Sequence, residues 1–366
     1  MKKSNRTLHI IGRMDRAGAE TMIMNLYREI DRTQTQFDFV YFANDRCDYD
    51  DEIEAMGGRI VRINSSSSIG RFFALLNILR KGDWRIVHAH TLFSSGLHLL
   101  AAKLAKVPMR VAHSHSTSDA NTSSTVGRAY QKCMRWLMSW VPTDYVACGK
   151  AAAEYLFPGR TDVQLIPNAI DINLFANAQG QNIKAELNLT DSTLVILQVG
   201  RFMPVKNHIF SVEIATALRK ADMDFQMLFV GTGPEQEAIE NAVHKDNLQE
   251  NVQLLGLRAD IPELMAAADV MLMPSLHEGF PVVLVESQAA GLPAVIANTI
   301  SLEVDLNIGL VRFVGLDESP KEWAARLQTA ALKPKVPLER RLETLENNNF
   351  SARSGAERLM MVYKTA

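Results

Sequence analysis

The sequence predicts an α/β protein of two doubly wound, Rossmann-like domains. Each would be built on a parallel sheet, with the carboxyl ends of the strands facing a central cleft. Three observations predict it. The 366 residues suffice for two domains of ordinary size. Apolar strand-like runs alternate with helical patterns along most of the chain, which is the rhythm of βαβ units and of a parallel sheet covered on both faces. That rhythm loosens once, around residues 170–190, and then restarts.

In the first series "RTLHIIG" is a short apolar strand, and "AETMIMNLYREI" puts Met22, Leu26 and Ile30 on one helical face. "FDFVYFA" and "GRIVRI" are strands, and "IGRFFALLNILRKG" is an amphipathic helix with a basic end. "WRIVHAH" is a strand, "SSGLHLLAAKLAKV" a helix and "MRVAHSHS" a strand. "LIPNAIDINLFANAQGQNIKAELNLTD" mixes Pro, Asn, Gly and Gln with weak periodicity and reads as the connection. The second series runs "TLVILQVG" (strand), "NHIFSVEIATALRKA" (helix), "FQMLFVG" (strand) and "PEQEAIENAVHK" (helix). "VQLLG", "DIPELMAAA", "VMLMPS", "FPVVLVESQAAG" and "PAVIAN" continue it, and "FSARSGAERLMMVYKTA" closes the chain as a helix.

Composition narrows the class. Hydrophobic residues make up 47% and charged residues 22%, a soluble globular mixture. No apolar run approaches the roughly 20 residues of a spanning helix, and the two N-terminal lysines precede a strand, not a signal core. A cytoplasmic protein is expected. The net charge of −2 gives nucleic acid no obvious hold. Residues 1–180 nevertheless carry 22 basic against 17 acidic side chains, and the remainder 17 against 24. A basic first half suits an anionic membrane surface, and chance asymmetry fits as well. Cys47, Cys133 and Cys148 are far apart and read as buried free thiols in a reducing compartment.

Five pieces fall just after strands, where such sheets bind ligands. "GRMDRAGAE" carries Gly12 and Gly18 around a loop that opens a helix, without the dinucleotide-binding glycine spacing. A plain turn fits it equally. "VGRFMPVKNH" sets Arg201 and Lys206 in one loop, two cations suited to a diphosphate. "FVGTGPEQE" is a glycine turn, read as mainly structural. In "HEGFPVVLVES" a helix starts near Pro281 and runs to about Ala290, with Gly291 to close it. Glu278 then lies before the helix and Glu286 about one and a half turns inside it. Lastly, His88, His90, His98, His113 and His115 cluster in two short segments. With no carboxylate or Cys beside them, hydrogen-bonded histidines at strand ends are expected in place of a metal site.

These pieces together resemble glycosyltransferase family 4, the retaining nucleotide-sugar transferases of the GT-B fold. The resemblance spans nearly the whole chain. It rests on "RAGAE" (16–20), "LIPNAID" (165–171), "VGRFMPVKN" (199–207), "VGTGPE" (230–235) and "HEGFPVVLVESQAAGLPAV" (277–295), in the family's order. It implies GT-B architecture, with domains at 1–180 and 181–348 and a final helix, 349–366, packing back on the first.

The resemblance also implies roles. Arg201 and Lys206 would hold the donor diphosphate and stabilise charge on the departing nucleotide. Glu286 would accept from the ribose hydroxyls and Glu278 from the donor sugar. Gly18 would let its loop approach the diphosphate, and His115, with His113 as the alternative, would lie against the donor sugar. The base would rest along "LLGLRADIP" (254–262), around Leu257, through backbone. Phosphate contacts at the helix start would come from Phe280, Val282 or Val283, since Pro281 has no N–H. Two departures stand out: Ala17 replaces one of two adjacent glycines, and Pro281 stands where the family often has Gly. No metal or other cofactor is implied, because no paired-aspartate motif is placed to hold one.

The expected activity is transfer of a sugar from a nucleotide-diphosphate donor, a UDP-sugar foremost, to a glycan or lipid-linked acceptor in bacterial exopolysaccharide or capsule synthesis. A nucleotide-sugar epimerase on the same fold and a non-catalytic nucleotide-sugar-binding protein are the alternatives. The helices "RFFALLNILRKGDWR" and "GRAYQKCMRWLMSW" mix Arg and Lys with Phe, Leu and Trp, as interfacial helices do and as core helices with a basic edge also do.

Overall fold

The structure, a computed structural model, describes residues 5–16, 18–65, 67–116 and 124–364. The chain divides into two compact units. One runs to Ile170 and resumes at Asn349; the other is Asp171–Asn348.

The first unit alternates β1 (Arg6–Ile10), α1 (Gly18–Glu29), β2 (Gln36–Tyr41), α2 (Asp50–Ala55), β3 (Ile60–Arg62), α3 (Ser68–Lys81) and β4 (Ile86–Ala89). It continues with α4 (Ser95–Leu104), β5 (Met109–Ser114), α5 (Thr125–Met138), β6 (Asp144–Ala147), α6 (Lys150–Leu156) and β7 (Gln164–Leu165). The seven strands are parallel in the order β3-β2-β1-β4-β5-β6-β7. The period of two along each strand gives the sheet two buried faces. Leu8, Ile10, Val40, Val87 and Ala112 pack beneath the side that also buries Leu75 and Leu99. Phe37, Phe39, Tyr41 and Val111 pack on the other with Met22, Leu26 and Tyr27 of α1. His9 shares this second face, its ring 4.2 Å from that of Phe37.

The second unit begins with two short helices, α7 (Ile172–Ala176) and α8 (Gln181–Glu186), inside the segment that reads as a loose connection. Then come β8 (Leu194–Val199), α9 (His208–Lys220), β9 (Phe225–Val230), α10 (Gln236–Lys245), β10 (Val252–Gly256), α11 (Ile261–Ala267) and β11 (Val270–Met273). After them follow α12 (Val282–Ala290), β12 (Ala294–Ala297), β13 (Val311–Val314), α13 (Pro320–Ala331) and α14 (Leu338–Asn347). Six parallel strands take the order β10-β9-β8-β11-β12-β13. Ile196, Phe225, Phe229, Leu272 and the fully buried Trp323 fill the core, and Trp323 Nε1 donates to Gly315 O at 2.9 Å. Residues 171–180, which the sequence puts in the first domain, lie in this unit, where α7 packs on α11, α12 and α14.

The closing helix α15 (Ala352–Tyr363) belongs to the first unit and packs on α1. Ile170 bridges to Ser351 in parallel, and Asn25 Nδ2 donates to Ala169 O at 2.9 Å. The thiols differ from expectation: Cys47 and Cys148 are buried, but Cys133 on α5 is exposed. It lies on the outer face of a helix that buries Gln131, Met134, Leu137 and Met138.

Candidate active site

In the second unit the strand order turns between β8 and β11. The loops after those two strands therefore emerge side by side at the carboxyl edge, where open α/β sheets bind ligands. The loop after β8 carries Arg201 and a short 3₁₀ turn, Pro204–Lys206; the loop after β11 carries Glu278. Backbone ties hold the two together. Leu276 N donates to Val205 O at 2.8 Å, and Asn207 Nδ2 donates to Pro274 O at 3.1 Å. Asn207 itself sits left-handed at φ 58°, where Asn is among the few tolerant residues.

This brings Lys206 Nζ to 2.7 Å from Glu278 Oε1, with the two side chains only 21% and 11% exposed. Gly200 leaves room for that lysine, since a Cβ there would stand 3.3 Å from Lys206 Cε. Arg201 is exposed, and its side chain makes no hydrogen bond or ion pair among the described residues.

Helix α12 starts one residue later than the sequence pattern suggests. Pro281 is its N-cap at φ −75°, ψ 97°, with its carbonyl accepting from Leu284 N at 3.0 Å. The amides of Val282 and Val283 have no acceptor among the described residues, as befits a helix start. Phe280 is half-buried beside them. Gly291, left-handed at φ 78°, closes the helix as expected. Glu286 lies in the second turn, half-buried and without a partner among the described residues. Burial pushes its carboxyl up to about 7. Leu257 follows β10 directly and is 80% exposed. Two cations, a paired and an unpaired carboxylate and two free amides thus share one edge of this unit.

The first unit holds Gly18 and His115. Gly18 opens α1 with nothing within 4 Å of where a Cβ would stand, while Ala17 lies outside the described residues. His115 belongs to an array of five imidazoles on one face of the sheet. His9 Nδ1 meets His90 Nε2 at 3.0 Å, and His90 Nδ1 meets His115 Nε2 at 2.8 Å. Beside this row runs a second, in which Tyr363 Oη meets His88 Nδ1 at 2.7 Å and His88 Nε2 meets His113 Nδ1 at 3.2 Å. The rows stack, with the His113 and His115 rings 3.9 Å apart. Desolvation holds His9 down to about 3 and His115 to about 4, and pulls His88, His90 and His113 well below the ordinary value. His113 is wholly buried, whereas His115 is half-buried past the strand end with Nδ1 unpaired. Of the two, His115 is the one that keeps some exposed surface. His90, His113 and His115 bring ring nitrogens within 4.8 Å, close enough to consider as metal ligands. Their rings stack, and each of the three spends a nitrogen on another imidazole.

Family models match both parts of the chain, "Glycosyltransferase Family 4" over residues 16–174 and "Glycosyl transferases group 1" over residues 179–347. The "Putative glycosyltransferase EpsF" of Bacillus subtilis (strain 168) is 40% identical over 98% of this chain and 96% of its own length. The chain belongs to glycosyltransferase family 4. This glycosyltransferase is also 25% identical to the capsular polysaccharide biosynthesis glycosyltransferase CapH of Staphylococcus aureus, over 98% of each chain. Its GT-B fold matches the structure of Anabaena Alr3699/HepE in complex with UDP and glucose, with TM-score 0.80 at 19% identity over 99% of this chain and 100% of that one.

Within the glycosyltransferase, the group 1 segment brings together Arg201, Lys206, Glu278, Phe280, Val282, Val283 and Glu286 around one helix start and two neighbouring loops, with Leu257 on a separate strand end. Gly18 and His115 lie in the family 4 segment. Sequence reasoning missed Asn207, although "VKNH" holds it, and missed His9 as an end of the imidazole row. It also gave no role to Asn168 of "LIPNAID", a buried side chain beside His115 whose Oδ1 completes no hydrogen bond.

Proposed function

We propose that this glycosyltransferase moves a sugar from a UDP-sugar to a saccharide acceptor in bacterial cell-surface polysaccharide synthesis, with retention of configuration and without a metal ion. The observation that carries the reading is the Lys206–Glu278 pair, held at 2.7 Å where the second sheet reverses, beside the open amides of α12. The donor diphosphate takes Lys206 and Arg201 as counter-charges, and the Val282 and Val283 amides meet a phosphate oxygen at the positive end of the helix dipole. Glu278 turns from Lys206 toward the sugar hydroxyls, and Glu286 accepts from the ribose. Leu257 rests against the base.

In the transfer, the acceptor oxygen bonds the anomeric carbon from the face the phosphate leaves, and the carbon–oxygen bond to phosphate breaks. The acceptor's proton passes to the departing phosphate oxygen. Charge growing on UDP meets cations and amides already aimed at it, which is where such sites do most of their work. The HepE complex with UDP and glucose, and CapH's part in capsular polysaccharide, support this choice of donor and pathway.

The cytoplasmic face of the membrane is the proposed place of work. Exposed Ile69 and Phe73 on α3 and Val126 and Trp136 on α5 stand among Arg71, Arg80, Lys81 and Lys132, a mixture suited to anionic lipid. Flotation with anionic vesicles at low salt tests it, and protein left at the bottom removes it.

Thermal shift with UDP-, GDP- and ADP-sugars, followed by product analysis on the stabilising donor, tests the main reading. UDP release coupled to a new glycosidic bond, unchanged by chelator, is expected. An epimerised nucleotide sugar, or binding with no turnover for any acceptor, would replace transfer by one of the two alternatives.

A further inference from the structure

We propose that Asn168 is a positioning residue for His115. Its side-chain oxygen draws the His115 proton to Nδ1, the row His115–His90–His9 is polarised to match, and His115 is thereby kept from acting as a general base. The proposal rests on the glycosyl-transfer reading, which gives His115 a substrate to meet. It deepens that reading by leaving the acceptor's proton to the departing phosphate.

The row allows two arrangements of its protons. A neutral imidazole has one N–H and one lone pair, and burial keeps His9, His90 and His115 neutral. Two contacts join the rings, His9 Nδ1 to His90 Nε2 at 3.0 Å and His90 Nδ1 to His115 Nε2 at 2.8 Å. Each contact uses one N–H and one lone pair. One of each is left for the two ends, His115 Nδ1 and His9 Nε2, and neither end closes a full hydrogen bond among the described residues. Fixing the proton at one end fixes all three rings, because the bond made by one ring nitrogen sets the state of the other.

Asn168 decides which arrangement holds. It is 4% exposed, and its Oδ1 is buried beside His115 without a completed bond of its own. An amide oxygen only accepts, so it favours an N–H on His115 Nδ1. Burial foremost lowers the basicity of His115, and Asn168 works against that, as an acceptor of its N–H does. With the proton there, His90 donates to His115 Nε2, His9 donates to His90 Nε2, and a lone pair is left on His9 Nε2. The far end agrees. His9 is 1% exposed, and its Nε2 has no partner among the described residues. The reverse arrangement buries an unpaired N–H there, which folded proteins rarely tolerate.

Backbone bonds hold Asn168 in place from both sides. Ile166 N donates to Ala147 O at 2.9 Å, Asn25 Nδ2 to Ala169 O at 2.9 Å and Ile170 N to Phe350 O at 2.8 Å. Ser114, Ala147 and Leu165 stand in one register across β5, β6 and β7, so His115 and Asn168 both follow their strands at the carboxyl edge. His115 then has its Nε2 lone pair filled by His90 and a proton on Nδ1. No lone pair is left to take a proton from an acceptor hydroxyl, as a general base must.

The test is NMR of the full-length protein carrying nitrogen-15 histidine, saturated with UDP at pH 7.5, where ring-nitrogen shifts separate N–H from lone-pair nitrogens. Single Gln variants of His9, His90 and His115 assign the signals. In the wild type all three rings should carry the proton on Nδ1. Asn168→Leu removes the acceptor and should turn the three rings together into a mixture of tautomers; Asn168→Asp keeps an acceptor and should restore Nδ1–H. With a UDP-sugar, kcat should fall about three- to tenfold in Asn168→Leu, the scale of one lost hydrogen bond, and recover in Asn168→Asp. UDP affinity should be the same in all three proteins, which also reports folding. A wild-type His115 with its proton on Nε2 overturns the proposal, whether or not the variants fold. A row that keeps one tautomer in Asn168→Leu overturns it too, and so does an unchanged kcat. A wild type that transfers no sugar removes the transferase reading and the positioning role with it, while the spectrum still decides the tautomers.

Discussion

Glu286 pays for its position in the fold. Its carboxyl, raised by burial to about 7 from an ordinary 4.5, holds a proton that the unfolded chain has already released between those values. Stability therefore falls as pH rises from 4.5 to 7, and the cost is complete above that. With a discount for its partial exposure, Glu286→Gln should stabilise the protein by about 1–2 kcal/mol at pH 8 and by almost nothing at pH 4.5. Urea denaturation at the two pH values checks this. The same variant should bind UDP more weakly, and the wild type's loss of UDP affinity below pH 7 should flatten in it. Lys206 and Glu278 make a second residue-scale case. Removing either leaves the other charge partly shielded and alone, so Lys206→Ala and Glu278→Gln should each destabilise by about 1–2 kcal/mol. The double variant should lose less than the two singles added together, read from melting temperatures. Additive losses would mean that the pair does not matter to the fold.

At the scale of elements, the donor-side edge depends on how closely the turns after β8 and β9 pack. Gly231 is at φ 143°, and a Cβ there would fall on the carbonyl oxygen of Gly200. Gly231→Ala should therefore cost about 2–4 kcal/mol and loosen the loop that carries Lys206, so chemical denaturation and donor affinity should both report it. The elements themselves were legible where apolar periodicity was strong: β1, β4, β5, β8, β9 and α9 stand where the sequence pattern puts them. The short ones were not. β7 has two residues and β13 four at a sheet edge, and α7 and α8 have five and six, too few for a period to show. Helix α13 had a signal that was passed over. Ser319 and Glu322 form a capping box around Pro320, the local pattern that marks a helix start.

The whole molecule should be acid-labile, and unevenly. Six imidazoles of the first unit, the array of five and His98, are held neutral by burial, whereas in the second unit His208 is the one with its value pulled down, to about 4. Each has a folded value below the unfolded 6.5. The unfolded chain therefore takes up protons first as pH falls, and the fold keeps its full stability only above about 6.5. Each imidazole that stays neutral then costs about 1.4 kcal/mol per pH unit, so several kcal/mol should be lost between pH 6.5 and 5.5. Trp84, Trp136 and Trp140 lie in the first unit and Trp323 in the second. Tryptophan fluorescence should thus report an acid transition that hydrogen exchange assigns to the histidine-bearing strands. Stability that stays flat from pH 7.5 to 5 would show that the array accepts protons within the fold.

The sequence by itself determined the alternation of strands and helices, the two-part division and the identity of the motif residues, because each is written in local periodicity, turn chemistry or short spacing. It placed Glu278 before a helix and Glu286 inside it, and it named Arg201 and Lys206 as neighbours in one loop. Only the tertiary structure decided that Lys206 meets Glu278, 72 positions away, since that contact depends on β8 and β11 being adjacent where the sheet reverses. The strand order likewise aligned His9, His90 and His115 into one row. Local pattern shows which side of a strand a residue takes; which strand lies beside it is settled by how the whole sheet buries its two faces.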